Sequence, residues 1–205
     1  MKLLVTPLIA ALLVTHFARV QSQQAGDQSG IPAEEYTIYA AVIDHMFAGD
    51  KVPFNSQAPV KMLVIKDWTV SNAFAAIAKE DEGSRMRQEF TSISQETIDD
   101  YLAKNAKSHQ LTKSFDLKLN YILTPKEKIE EIFKSPGWWD EFYRQFPNSN
   151  GFIGLSRAGF NSSGNQALVY MEHSCGGLCG KGHYLLLVKN DQGWVVQKKF
   201  MAWIS

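Results

Sequence analysis

Gln166-Ala167-Leu168-Val169-Tyr170-Met171-Glu172-His173-Ser174-Cys175-Gly176-Gly177-Leu178-Cys179-Gly180-Lys181-Gly182-His183-Tyr184-Leu185-Leu186-Leu187-Val188 is the stretch that decides the fold. Two runs rich in apolar, β-branched and aromatic residues flank a glycine-rich bend, which is the pattern of a β-hairpin. Turn chemistry recurs on either side of it, at Asn161-Ser162-Ser163-Gly164 and at Asn190-Asp191-Gln192-Gly193. Apolar runs lie beyond both turns. This spacing predicts an antiparallel meander of four strands, at roughly 151–160, 166–174, 183–189 and 194–204.

Upstream the period changes from two to that of a helix. Pro32 suits a first helical turn, Glu34 and Glu35 suit the positive end of a helix dipole, and Gly49 is placed to end the segment. Between them Tyr36, Tyr39, Val42, Ile43, Met46 and Phe47 fall on one side. The run 60–65 reads as a buried strand, and the Ala-rich 71–79 as a helix that Asp81-Glu82-Gly83-Ser84 breaks. Ser94 caps a predicted helix through Ile98 and Tyr101 to Asn105. Phe115, Leu117, Leu119 and Tyr121 alternate with polar residues, the period of a half-exposed strand. Pro125 opens a charged helix that Ser135-Pro136-Gly137 ends, and an aromatic helix from Trp138 to Phe146 follows. Helices come first and strands last, so the expected class is α+β: N-terminal helices laid across one face of a curved, C-terminal antiparallel meander. Trp194 and Trp203 are expected to pack in the core or to line a groove.

The chain has 205 residues, 45% of them apolar and 20% charged, which suits one compact domain at 32–205. Lys plus Arg and Asp plus Glu number 21 each, so no basic field exists to hold nucleic acid. Lys2 precedes an apolar stretch from Leu3 to Val14 that His16 and Arg19 close, and small residues at Val20 and Ser22 suit a signal peptidase. Residues 1–22 are therefore read as a secretory signal, and 23–31 as a flexible polar leader. The apolar stretch is short of the ~20 residues that cross a bilayer, and no later stretch is longer. The expected location is periplasmic or extracellular, with no integral membrane segment after cleavage.

The only two cysteines sit in His173-Ser174-Cys175-Gly176-Gly177-Leu178-Cys179-Gly180-Lys181-Gly182-His183. In an oxidising compartment two nearby thiols become a disulfide, and a tight hairpin would set Cys175 and Cys179 opposite each other, with Gly176 and Gly177 supplying positive φ. Such a short loop stabilises by only about 2 kcal/mol, so the bridge shapes the bend more than it holds the fold. The competing reading is a zinc or copper site made of His173, Cys175, Cys179 and His183, or a redox dithiol. Register weighs against the metal: His173 should face Lys181 and His183 should face Met171, leaving the imidazoles diagonal. No helix pattern follows Cys179 to lower a thiol pKa, which weighs against the dithiol.

Other chemistry is sparse. Gly154-Leu155-Ser156-Arg157-Ala158 has the look of a nucleophile elbow, but more strand, not a helix, should follow Ser156. Ser156 and Arg157 are expected on opposite faces of that strand. No phosphate loop, zinc-protease helix or dinucleotide fingerprint is present, so no catalytic residue and no cofactor are assigned. Arg157, Tyr170, Glu172 and Trp194 are the candidates for contacting a small ligand, Arg157 as an anion anchor.

The segments Trp138-Trp139-Asp140-Glu141-Phe142-Tyr143, Leu155-Ser156-Arg157-Ala158-Gly159-Phe160-Asn161, Gln166-Ala167-Leu168-Val169-Tyr170, Cys175 to Gly182, Gly193-Trp194 and Trp203-Ile204-Ser205 occur in an order that resembles a family of small exported bacterial proteins of uncharacterised function. The resemblance covers about residues 90 to 205 and implies an exported location and a C-terminal sheet, with no site residues to transfer. The closing hairpin is also similar to those of cystatin-like and NTF2-like folds. Together these readings predict an exported, non-enzymatic domain that binds a small ligand or an envelope protein. The alternative is an envelope metal-binding or thiol-redox protein using the same bend.

Overall fold

Residues 30–47, 61–71 and 82–205 are described by a computed structural model. The strands are β1 (Met62–Lys66), β2 (Asn120–Thr124), β3 (Ser149–Leu155), β4 (Gly159–Phe160), β5 (Gln166–Gly176), β6 (Cys179–Asn190) and β7 (Gly193–Ile204), and the helices α1 (Ala33–Phe47), α2 (Glu82–Glu89), α3 (Gln95–Lys104), α4 (Lys126–Lys134) and α5 (Trp138–Gln145). All seven strands form one sheet in the order β2-β1-β3-β5-β6-β7, with β4 paired to β5. The class is α+β, and the C-terminal meander β5-β6-β7 is antiparallel as expected. The expected signal, most of the leader, Gly49 and nearly all of the helix at 71–79 lie outside the described residues. Among the described residues no helix is long and apolar enough to cross a membrane.

Two features of the architecture depart from the expectation. The sheet is mixed, because β1 runs parallel to both β2 and β3. Helices also cover both of its faces. Successive residues of a strand point to opposite sides, and β5 shows where each side goes. Ala167, Val169 and Met171 join α1 residues Ile38, Tyr39, Val42 and Ile43 in one core cluster, whereas Leu168 and Tyr170 join Met86, Phe90, Ile98 and Tyr101 of the α2–α3 region in another. On that second side Val64 and Phe152 pack under Ile129, Ile132 and Phe142 of α4 and α5. Full burial of side chains such as Ile38, Val42 and Ile43 contributes about 1.5–3 kcal/mol each.

Local chemistry explains most element ends. Ser94 Oγ accepts from Thr97 N at 3.2 Å and caps α3, while its own N–H donates to Gln166 Oε1 at 2.8 Å, fastening the start of α3 to β5. Gly159 lets β4 approach α3 closely, since a methyl group there would overlap the Tyr101 backbone. Pro125 opens α4 as predicted.

Three local expectations are corrected. Residues 115–119 form no strand, because Phe115, Leu117, Leu119 and Tyr121 all turn toward the α1 core and pairing begins only at Asn120. Glu82-Gly83-Ser84, expected as a break, starts α2, which is anchored by buried Met86 with Phe90 just beyond its end. The strand expected over 151–160 is interrupted at Ser156-Arg157-Ala158, so Ser156 and Arg157 are not paired strand residues on opposite faces.

Candidate functional site

The β5–β6 hairpin pairs Ser174 with Gly180 and Gly176 with Cys179, so Cys175 is the extra residue of a bulge and not the direct partner of Cys179. The bulge still brings the two Cα atoms to 5.0 Å, and the sulfurs form a disulfide. The turn residues are Gly177 and Leu178. Among the described residues the glycines at positive φ are Gly30, Gly151, Gly164 and Gly193, so the expectation of positive φ at Gly176 and Gly177 is corrected. Tyr143 Oη donates to Cys175 O at 2.8 Å and ties α5 to this bend.

His173 faces Lys181 and His183 faces Met171, the register expected from the sequence. Both imidazoles lie on the α1 side of the sheet and both are buried. His173 Nε2 donates to Asn150 O at 2.5 Å, Nδ1 lies 4.0 Å from Cys175 Sγ, and the Phe47 ring stands edge-on at 5.7 Å. Burial lowers the His173 pKa, and Lys181 adds to it. Burial, then Lys199 and Lys181, pushes His183 down to about 4. Among the described residues no three His, Cys, Asp or Glu side chains converge to hold a metal ion. The set His173, Cys175, Cys179 and His183 is thus adjacent in sequence but not assembled, and its sulfurs are spent on each other.

The four ligand candidates divide. Arg157 is buried against Glu35, donating from Nη2 at 2.6 Å and from Nε at 2.9 Å. Glu35 also accepts from Ala158 N at 3.0 Å and Tyr39 Oη at 3.2 Å, and Asn105 Oδ1 accepts from Arg157 N at 2.8 Å. The hydrogen bonds that Arg157 donates to Glu35 raise its pKa, and burial raises that of Tyr39 well above its ordinary value. Glu35 thus holds this guanidinium through Nε and Nη2. Trp194 is core, packed in the α1 layer with the Phe160 ring at 5.9 Å.

Tyr170 and Glu172 share the opposite face. Lys66 Nζ lies 2.6 Å from the Glu172 carboxylate and over the rings of Phe152 and Trp68, at 5.0 and 5.6 Å. Tyr170 Oη accepts from Trp203 Nε1 at 2.6 Å. That indole lies on bare backbone: a methyl group at Gly182 would overlap its nitrogen and the Tyr170 hydroxyl, and one at Gly180 would press on its six-membered ring. The alternation Gly180-Lys181-Gly182 is the sequence signal for this seat.

Ser156 Oγ accepts from Tyr170 N at 2.8 Å and donates to Arg157 O at 3.0 Å, and β4 rather than a helix follows it. It fastens the break between β3 and β4 and has no base beside it in that bonding.

What remains is the end of the sheet that carries the disulfide. Leu178 is 89% exposed, Ile204 58%, Met201 48% and Trp203 38%. Lys181 pairs with Ile204 and His183 with Met201 on the α1 side, Gly182 pairs with Trp203 on the opposite side, and Ser205 N donates to Gly180 O at 2.9 Å, while Leu178 sits in the turn. Sequence reasoning located the bend but not its apolar neighbours on β7, since only the register of a non-local pair brings them there.

Comparison with protein-family models, with curated proteins and with solved structures finds no match.

Proposed function

We propose that this chain is exported and acts in the cell envelope as a non-catalytic binding domain, working through the disulfide-pinned end of its sheet. The observation that carries the reading is the pinned bend itself. It joins the only two cysteines of the chain and holds Leu178 out in solvent at the tip of the β5–β6 hairpin, with Met201 and Ile204 exposed on the neighbouring strand β7. A disulfide suits an oxidising compartment, and exposed large apolar side chains grouped at one place suit contact with something else. The Lys2-led apolar segment supports the same location. The polar groups with chemical potential are each engaged structurally: Arg157 by Glu35, His173 by Asn150, Ser156 by the β3–β4 break.

The experiment is fractionation of host cells followed by intact-mass measurement of the chain with and without reductant. The expected species lies in the envelope or medium, begins near Gln23, and weighs two hydrogens less than its reduced form. A cytoplasmic species that keeps its first residues and has both thiols open to alkylation would overturn the reading.

A further inference from the structure

We propose that the pinned end, on the face turned away from α1, holds a neutral saccharide, one pyranose ring stacking on Trp203 while its hydroxyls meet Glu172 and Ser174. The inference rests on taking that end as the working surface, and adds the ligand. Register sets the residues side by side. Gly154 pairs with Glu172, Glu172 with Gly182 and Gly182 with Trp203, a row across β3, β5, β6 and β7, and in the next row Phe152 pairs with Ser174 and Ser174 with Gly180. On this face β6 therefore offers bare backbone at 180 and 182. Both ends of the Trp203 indole rest on it: a methyl group at Gly182 would overlap the five-membered end, and one at Gly180 would press on the six-membered end. The Nε1–H, which lies in the ring plane, donates to Tyr170 Oη at 2.6 Å, so the ring is laid lengthwise on β6. The residue is 38% exposed, which leaves the outer ring face for a ligand.

The polar groups choose the ligand. Glu172 Oε1 is held by Lys66 Nζ at 2.6 Å, so the acid beside the indole is already balanced in charge. Its Oε2 and the hydroxyl of half-buried Ser174 have no hydrogen-bond partner among the described residues. A neutralised carboxylate and a spare hydroxyl beside an aromatic face suit a ligand that is itself neutral, offers donors and acceptors together, and has an apolar side. A pyranose has all three. Its C–H bonds, slightly positive, meet the negative face of the indole, while its hydroxyls donate to Glu172 Oε2 and exchange hydrogen bonds with Ser174 Oγ.

Other occupants fit less well. The Glu172 carboxylate repels an anion, and a ligand ammonium would compete with Lys66, which already stands over the Phe152 and Trp68 rings at 5.0 and 5.6 Å. Phe152 on β3, with Trp139 stacked on it at 5.7 Å, and the indole over β6 are two strand spacings apart, about 10 Å. That is the width of a sugar chain, and far less than the face a stable protein interface uses.

The test is calorimetric titration of the purified mature chain with cellotriose, maltotriose and triacetylchitotriose as neutral probes, trigalacturonate as an anionic one and choline as a cationic one. At least one neutral trisaccharide should bind with Kd below about 10 mM, and more tightly than trigalacturonate or choline. Trp203→Ala should weaken that binding by about tenfold or more, and Ser174→Ala by about three- to tenfold. Ser174→Ala breaks no hydrogen bond of the fold, so it keeps the proposal testable if circular dichroism shows Trp203→Ala unfolded. The proposal is overturned if none of the three neutral sugars binds with Kd below about 10 mM, or if either substitution in a folded chain leaves binding unchanged. Tighter binding of trigalacturonate or choline than of every neutral sugar also overturns it, and assigns the trough to that charge class. Since the titration uses purified protein, its failure leaves the exported location and the working end standing, and a cytoplasmic location in cells leaves the titration standing.

Discussion

The Glu35 carboxylate on α1 and the Arg157 guanidinium, 122 residues later in the break between β3 and β4, form an ion pair with a 2.6 Å contact, both side chains withdrawn from water. Removal of one partner leaves the other charge buried and uncompensated, which costs more than the pair itself contributes. Arg157→Met should lower unfolding free energy by about 3–5 kcal/mol in urea titrations, and the double variant Glu35→Leu with Arg157→Met should recover much of that. If Arg157→Met proves neutral, this pair is not what fastens α1 to the β3–β4 break.

Trp203 on its glycine seat gives a second prediction. Gly182→Ala forces the indole off the strand and breaks its hydrogen bond to Tyr170, so the tryptophan emission should move to longer wavelength and stability should fall by about 1–3 kcal/mol. Tyr170→Phe keeps the seat and removes only the acceptor, for about 0.5–1.5 kcal/mol. An unshifted emission spectrum in Gly182→Ala would contradict the contact.

Acid sensitivity follows from the imidazoles. His183 is held at about 4 in the folded chain against an ordinary 6.5, and His173 is lowered in the same sense. A folded pKa below the unfolded one means that the unfolded chain binds protons more readily, so this contribution is present above about pH 6.5 and is lost as pH falls toward 4. Between about pH 7.5 and pH 5.5 the wild type should lose about 1 kcal/mol more stability than His183→Gln. Parallel pH profiles for the two proteins would contradict the burial of this ring.

The disulfide should matter locally. It closes a loop with a sequence separation of 4, so replacing both cysteines by serine should cost only about 2 kcal/mol and leave the sheet folded. Amide exchange should quicken at the bend between Ser174 and Gly180 and stay unchanged in α1. Global unfolding of the double variant would show that the bridge holds the fold and does not merely shape its tip.

Features that depend on neighbours in sequence were legible. Ser94 as a cap, Pro125 as a helix start, the meander and the facing of His173 with Lys181 all follow from spacing. Features that depend on distant partners were not. Nothing local shows that β1 lies between two parallel strands, or that Glu35, well suited to a helix dipole, turns inward to meet Arg157. The alternation at Phe115 to Tyr121 misled for a physical reason: an irregular segment lying along α1 can bury every second residue without any ladder. At the candidate site the thiol pair was readable because two cysteines leave one pairing. Its bulged geometry and the approach of Ile204 and Trp203 required the β5–β6 and β6–β7 registers.

The most direct measurement of the central claim is photo-crosslinking in living host cells, with a benzophenone side chain placed at position 178 or at position 191. Leu178 lies in the turn at the pinned end of the sheet and Asp191 in the turn at the other. Adducts to an envelope component from position 178, with none from position 191, are the predicted result. Adducts from position 191 alone, or equal yields from both, would contradict the assignment of function to the pinned end.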